Sequence, residues 1–321
     1  MKTYKIKIEF KTLPRLGKAG LDDQDTRDHL GADQFFSALS LAWIDVHGLE
    51  DFKTNVLDAF LNEHIPWRHS NFFPEDDKEF YLPSPFIKIK NSDRIIEKKE
   101  RKPWVKFKSI NKLLSGNQLE KEDYASIVKE YSYQSANLQN KEAMPFITTV
   151  SGPISDNRRT DEYKKINLSL SGLIDIYNQS ILSKFDRAIE YLQDEGLGAN
   201  RSSGYGQIKE IRIDKHENLN SLENPNHWIL LSDYIPRDNN TASEIDKIKN
   251  STESAYKLIS KSGWIYSSSA SASDKRKQKI YMMASGSSFS FKPFGKLVNV
   301  GDNEYPSYRY GFAYSLGMRI N

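Results

Sequence analysis

The stretch from Gly196 to Ile213 reads GLGANRSSGYGQIKEIRI, and its residue types suit the gripping of an anion. Four glycines (Gly196, Gly198, Gly204, Gly206) fall within eleven residues. Glycine reaches positive φ freely and lets another backbone come close. Around these glycines Arg201 supplies a cation, Ser202 and Ser203 supply hydroxyls, and Tyr205 supplies an aromatic face. Successive amides in such turns form an anion-binding concavity, and a phosphodiester backbone fits it. The same residues also fit a helix stop at Gly196 followed by a tight turn. Other chemistry is thinner. His29 stands in a polar loop before the first expected helix, where a general base for a ribose hydroxyl would sit, or where a histidine is merely solvated. Asp22, Asp23, Asp25 and Asp28 offer the hard oxygens that divalent cations prefer, or a hydrated loop. A Walker-type NTPase would need a Gly-Lys-Ser/Thr that is missing here, and GLGANRSSG follows a helix, so the dinucleotide fingerprint fails. His64 and His69 are five apart, with nothing to join them into a metal site.

The elements that must carry these residues follow from periodicity. Tyr4, Ile6, Ile8 and Phe10 alternate with Lys5, Lys7, Glu9 and Lys11, which marks a half-buried strand. Gly17-Lys18-Ala19-Gly20 opens the polar loop, and Asp33 stands where a cap or first-turn acid belongs. Phe35, Leu39, Ala42 and Val46, widened by Phe36 and Trp43, make a helix; a second helical stretch covers about 51–62. FYLPSPF (80–86) reads as an extended connector because its prolines fix φ. A strand is expected over 144–150, leading into the turn-rich SGPISDNRRTDEYK, read as a mobile hairpin or loop. Ile166, Leu168, Leu170, Ile174 and Ile176 share a strand face, with Gly172 read as a bulge. Ile181, Phe185, Ala188 and Leu192 form the helix before the glycine loop.

That order, strand-helix-insertions-strand-helix-glycine loop-strand, is the β-α-β-β-α-β plan of a ferredoxin-like domain with an expanded middle. A second, strand-rich unit starts near residue 215. Within it a strand is expected over 227–235, and Thr241 with Glu244 suggests a capping box for a helix reaching Ile259. Residues 266–279 read as a serine-rich, then basic, loop. From Tyr308 to Ile320 apolar residues alternate with small ones, and the small face invites close packing by a helix or a neighbouring subunit. The fold class is therefore α+β: two ferredoxin-like (RRM-like) domains with long insertions, over 1–214 and 215–321, the glycine-rich loop following the second helix of the first.

The chain has 321 residues, no cysteine and a net charge of +3. No disulfide, thiolate zinc site or cysteine nucleophile is possible, which fits a reducing cytoplasm. The start MKTYKIKIEF has no apolar core of a signal peptide, and no run of about 18 apolar residues predicts a membrane span. The net charge does not announce a polyanion partner, but its distribution does more. From Lys88 to Lys112, ten Lys or Arg stand against three acids, a local +7. Such windows attract polyanions, though most are solvated loops.

Several segments together resemble the RAMP superfamily of CRISPR RNA-binding proteins, and within it the fourth subunit of the type III-A Csm effector complex. They are the lysine-rich first strand with Gly17-Lys18-Ala19-Gly20; the run His29, Asp33, Phe36, Ser37, Ala38, Leu39; Tyr81, Leu82, Pro83 and Pro85; Asn157 with Arg158; and the loop Gly198, Arg201, Ser202, Ser203, Gly204, Tyr205, Gly206. They span roughly residues 1 to 214. Gly31 and Ala32 stand where the family commonly has His-Ser, and His29 lies two residues early. The resemblance implies a non-catalytic cytoplasmic subunit with no cofactor and no metal. It would bind the 5′ handle of the guide RNA, cap the filament, and dock the large polymerase/HD-type subunit and the repeated backbone subunit. Lys18, Arg158, Arg159, Arg201, Ser202, Ser203 and Tyr205 would contact RNA. Two enzymatic alternatives belong to the same superfamily: a guide-processing endoribonuclease using His29, and a metal-dependent target nuclease using a loop aspartate.

Overall fold

The computed structural model describes residues 2–17, 27–76, 79–86, 103–117, 119–125, 128–135, 146–153, 168–216, 224–238, 243–265 and 275–320. The first half runs β1 (Lys2–Phe10), α1 (Ala32–His47), α2 (Leu49–Phe52), α3 (Asp58–Leu61), β2 (Trp67–His69), β3 (Phe73–Glu75), β4 (Tyr81–Pro83), β5 (Trp104–Lys106), α4 (Ile110–Leu114), β6 (Tyr124–Ala125), β7 (Val128–Ser135) and β8 (Phe146–Pro153). There follow β9 (Leu168–Ile176), α5 (Leu182–Glu195), β10 (Ile208–Lys215), β11 (His227–Leu230), α6 (Glu244–Lys249), β12 (Leu258–Lys261), β13 (Ile280–Met283), β14 (Ser288–Phe289), β15 (Gly295–Asn299), β16 (Tyr308–Phe312) and β17 (Ser315–Met318). The chain is thus mixed α/β, with several small antiparallel sheets.

The sheet that positions the glycine loop is ordered β10-β1-β9-β2, with β3 also paired to β9. Its inward face is set by β1, where Tyr4, Ile6, Ile8 and Phe10 are all buried. Ile211 and Ile213 of β10 stand opposite Ile8 and Ile6. Helices α1 and α5 cover this face with Phe35, Phe36, Leu39 and Trp43, and with Phe185, Ala188, Ile189 and Leu192. Each large apolar side chain taken from water contributes about 1.5–3 kcal/mol, which is why these two helices lie here. The register of β1 on β9 runs unbroken through Ile6 and Gly172, so no bulge occurs there. Gly172 has a packing role instead: a Cβ would stand 3.0 Å from the Phe72 ring.

Elsewhere the structure departs from periodicity. The polar stretch before residue 136 contains β7, which pairs with β8 as a hairpin; residues 154–167, which hold most of the turn-rich segment, lie outside the described residues. The strand expected over 227–235 stops at Leu230. The helix expected to reach Ile259 is only α6; Ser243 caps it by accepting from the Asp246 N–H, and Thr241 is outside the described residues. Asn250, Ser251 and Thr252 follow, residues whose side chains compete for backbone hydrogen bonds, and 258–261 then joins a strand pair.

The alternating C-terminal run changes sheet midway. β16 pairs with β15 and sends Tyr310 and Phe312 into the core under β1, whereas β17 pairs with β11 and sends Leu316 and Met318 into a second core with Phe73, Trp104 and Leu113. Its small-residue face is covered by the chain itself. A Cβ on Gly311 would lie 2.5 Å from Ile235, and one on Gly317 would lie 2.8 Å from Pro225. This corrects the expectation of a separate helix or a neighbouring subunit on that face.

Candidate nucleic-acid interface

The glycine loop has a fixed base and an open tip. At the base the Leu197 N–H donates to the Gly206 carbonyl at 2.9 Å, the Ala199 N–H to the Arg15 carbonyl at 3.0 Å, and the Gly206 N–H to the Leu13 carbonyl at 3.3 Å. Residues 11–16, just after β1, therefore clasp the loop, and Leu13, Leu16 and Leu197 are buried between them. The clasp needs glycine at Gly196, where a Cβ at φ +76° would stand 2.7 Å from the Gly206 carbonyl oxygen, and at two further places. At Gly206 (φ +67°) a Cβ would overlap the Leu197 carbonyl oxygen, and at Gly198 (φ +110°) it would stand 2.8 Å from that of Arg15. Sequence reasoning therefore found both the turn and the close backbone approach.

Beyond the clasp, Gly198 to Ser203 face solvent, and Asn200 (φ 59°) turns the chain into the short 3-10 turn Arg201–Ser203. Ser203 and Gly204 close that turn on Asn200 and Arg201, while the Asn200, Arg201 and Ser202 amides meet no acceptor among the described residues. The Arg201 guanidinium folds back, donating to the Gly196 carbonyl at 3.3 Å, with Glu195 at 3.9 Å. A cation at the end of α5 is favoured by the helix dipole, and a guanidinium carries five N–H donors, so this one contact leaves most of them for a ligand. Tyr205 is half-buried, its ring packed against the main core. The structure thus brings Arg201, Ser202 and Ser203 together at the tip and commits much of Tyr205 to packing.

Lys18, Arg158, Arg159, Asp22, Asp23 and Asp25 lie outside the described residues. His29 donates from Nδ1 to the Asp28 carboxylate at 2.8 Å, and its ring sits 6.0 Å from both Phe73 and Trp104. Its Nε2 is buried and has no partner among the described residues. His69 is fully buried, donates from Nε2 to the Ala32 carbonyl and stacks on Tyr310 at 4.3 Å; burial pushes its pKa down to about 4. No group of three potential metal ligands occurs among the described residues. Within the basic window Lys112 is held by Asp123 at 2.9 Å and Lys108 lies near Glu79 at 3.8 Å.

Periodicity did not show a buried charge cluster. Asp33, in the first turn of α1, accepts from Lys261 at 2.7 Å and from Arg309. Asp233 accepts from the same Lys261 at 2.8 Å and from Arg27 at 3.2 Å. Both carboxylates have side chains only 1% exposed and Lys261 4%. Asn71 threads the cluster, donating to Asp233 and accepting from the Ala32 N–H. Burial by itself would raise the Asp33 carboxyl, yet Lys261 and then Arg309 hold it down at about 2. Burial likewise opposes ionisation of Asp233, and Lys261 and Arg27 overcome it. Asp33 read as a cap or first-turn acid because its partners Lys261 and Arg309 are 228 and 276 positions away.

Comparison with known proteins gives the class first: this is a RAMP-type subunit of a type III-A CRISPR effector complex. Residues 223–318 match the family described as the CRISPR Csm4 C-terminal domain. A protein of Streptococcus thermophilus named CRISPR system Cms protein Csm4 is 25% identical over 342 residues, covering 99% of each chain. One of the same name from Methanocaldococcus jannaschii is 25% identical over 340 residues, covering 89% of this chain and 85% of that one. Over nearly its whole length the chain is thus similar to proteins named Csm4. Its fold is shared with the crystal structure of a Csm3-Csm4 subcomplex of the type III-A CRISPR-Cas interference complex, at TM-score 0.63 and 17% identity over 99% of this chain and 100% of that one. It is also shared with a Csm1-Csm4 cassette in complex with pppApA, at TM-score 0.60 and 14% identity over 100% of this chain and 99% of that one.

Proposed function

We propose that this Csm effector subunit binds the 5′ handle of the guide RNA at the glycine-loop tip, caps the filament there and breaks no bond. The observation that carries the reading is the tip itself: three amides without acceptors among the described residues, two hydroxyls and a guanidinium, on a clasped base that needs no reordering to bind. A phosphate accepts hydrogen bonds from all three kinds of group, and contacts of this type position a strand without reading its sequence. Lys18, Arg158 and Arg159 add cations along the strand, and the exposed edge of Tyr205 meets a base.

In this reading the chain comprises two ferredoxin-like units, 1–214 and 215–321, and the loop follows the second helix of the first. Proteins of the same fold occur in Csm3-Csm4 and Csm1-Csm4 structures, and by that likeness this chain docks a repeated backbone subunit and a large polymerase-like subunit. A nuclease using His29 is not favoured, because the ring is wedged between aromatics and tied to Asp28.

The test is fluorescence anisotropy with a labelled repeat-containing RNA in Mg²⁺, followed by gel analysis of the RNA. Wild type binds and leaves the RNA intact. Replacing Arg201→Ala and Arg158→Ala weakens binding and flattens the salt dependence, by about 0.7 in slope per lost phosphate contact on a single strand. An unchanged slope would remove both arginines from the interface. Cleavage abolished by His29→Ala would replace the binding reading with the processing one.

A further inference from the structure

We infer that the outer end of the β12–β13 hairpin is a second contact for single-stranded RNA, with Trp264 as a base-stacking platform and Arg276 as its phosphate partner. Trp264 is 56% exposed, although a large indole is ordinarily among the more buried side chains. Beside it, Arg276 lies over the indole at 4.6 Å from the ring centroid, and the two residues are bridged across the strands. The pattern repeats further along the hairpin: Tyr281 is 60% exposed, with the Lys279 ammonium 5.5 Å from its ring centroid.

The basic run Lys275-Arg276-Lys277-Gln278-Lys279 is divided in a way that points outward. Lys275 is neutralised by Asp302 at 3.0 Å and Glu304 at 3.3 Å. Lys277 is half-buried. Arg276 and Lys279 are the two exposed cations, and neither has a carboxylate partner among the described residues. Each rests on an aromatic ring instead, and a nucleotide offers a matching pair of groups, a base for the ring and a phosphate for the cation. An acidic peptide would satisfy the cations and leave both rings wet. Tyr281 pairs with Ser260, and Trp264 lies four residues further along, about 13 Å at ~3.3 Å per residue. That is several nucleotides at the ~3.4 Å rise of a stacked strand, so the two rings address separate bases.

The choice of RNA over DNA rests on the reading given under Proposed function; the hairpin chemistry stands independently of the glycine loop. The experiment uses the full chain and a 12-nucleotide oligouridylate with no handle sequence, read by anisotropy and by tryptophan fluorescence. Of the five tryptophans, Trp43, Trp67 and Trp104 are buried and Trp228 half-buried, so Trp264 dominates any quenching by a stacked base. Expected results are a quench on binding, a roughly tenfold loss of affinity in Trp264→Ala, and near-normal affinity without the quench in Trp264→Phe. Arg276→Gln lowers affinity and the salt slope together. Unchanged affinity in Trp264→Ala, or a quench surviving in Trp264→Phe, overturns the assignment. So does binding by wild type of an acidic peptide, or of a 12-nucleotide oligothymidylate DNA, with the RNA left unbound. Arg201→Ala separates the two readings: if it loses handle RNA and keeps oligouridylate, the hairpin stands. If Trp264→Ala leaves oligouridylate binding intact while Arg201→Ala abolishes handle binding, the hairpin falls and the handle reading survives.

Discussion

Replacing Lys261→Met tests whether the buried charge cluster holds the two ends of the chain together. In the native protein one ammonium sits 2.7 Å from Asp33 and 2.8 Å from Asp233, in a site that is almost dry. At an effective dielectric of about 20, each attraction is worth roughly 6 kcal/mol before the cost of taking the ions out of water. That cost is several kcal/mol per ion, so the net value of the whole arrangement is small, but the value of completing it is not. Methionine fills the space and leaves two carboxylates facing each other with one fewer cation. Breaking a buried pair in this way costs about 3–5 kcal/mol, a large part of a typical total of 5–15. Urea unfolding, followed by fluorescence and circular dichroism, should show the midpoint falling by about 1 M. The pH profile gives a second reading. Asp33 is depressed to about 2 when folded, against 3.8 for an ordinary aspartate, so its stabilisation is full above about pH 4 and fades as pH falls towards 2. Without Lys261 the folded pKa rises, and acid unfolding moves to higher pH. A loss below about 1 kcal/mol, the range of exposed pairs, with acid unfolding unmoved, would refute the reasoning.

Two further predictions concern the core and the loop. His69, depressed to about 4 by burial, gives stability that is full above about pH 6.5 and lost as pH falls towards 4; about 3 kcal/mol should disappear over that window, and His69→Phe should flatten it in a series of urea titrations. Gly206→Ala and Gly204→Ala both ask alanine to adopt positive φ, but a Cβ at Gly206 strikes backbone while at Gly204 it meets nothing within 4 Å. The second should cost about 1–2 kcal/mol and the first clearly more, by thermal unfolding; equal losses would mean that the clasp does not constrain the loop.

What could be read from the sequence was local. The alternation in β1, the apolar stripes of α1 and α5 and the glycines after α5 each follow from the spacing of a few neighbours, and each lies where it was expected. The charge cluster was not legible, because a carboxylate among polar neighbours looks the same whether water or a distant lysine will meet it. Lys261 lies between Ser260 and Ser262, and its partner Asp33 is 228 residues away. The C-terminal run failed for a related reason. A period of two shows that Tyr310, Phe312, Leu316 and Met318 face one way along a strand, but not that the chain changes partners at Ala313 and Tyr314. Cross-strand neighbours make that choice, and those for β16 and β17 are β15 and β11, which lie in different sheets.

The loop and the cluster are physically continuous, and this leads to a last prediction. The Gly206 and Ala199 amides are bonded to Leu13 and Arg15; the Leu16 carbonyl, one residue on, accepts from the Arg27 N–H at 2.7 Å; and Arg27 donates to Asp233 at 3.2 Å. Each step is a hydrogen bond of ordinary length, so loosening Asp233 should slacken the clasp through residue 16. Lys261→Met removes the cation shared by Asp33 and Asp233 without touching the loop. Native-state hydrogen exchange at the Ala199 and Gly206 amides should then quicken, by more than at Ile6 and Ile8 in the middle of the sheet, if the clasp opens as a local unit. If those two amides keep their protection while the Arg27 amide loses its own, the clasp depends on the packing of Leu13, Leu16 and Leu197 alone. The charges would then hold the C-terminal strands in place and have no part in shaping the tip that meets the ligand.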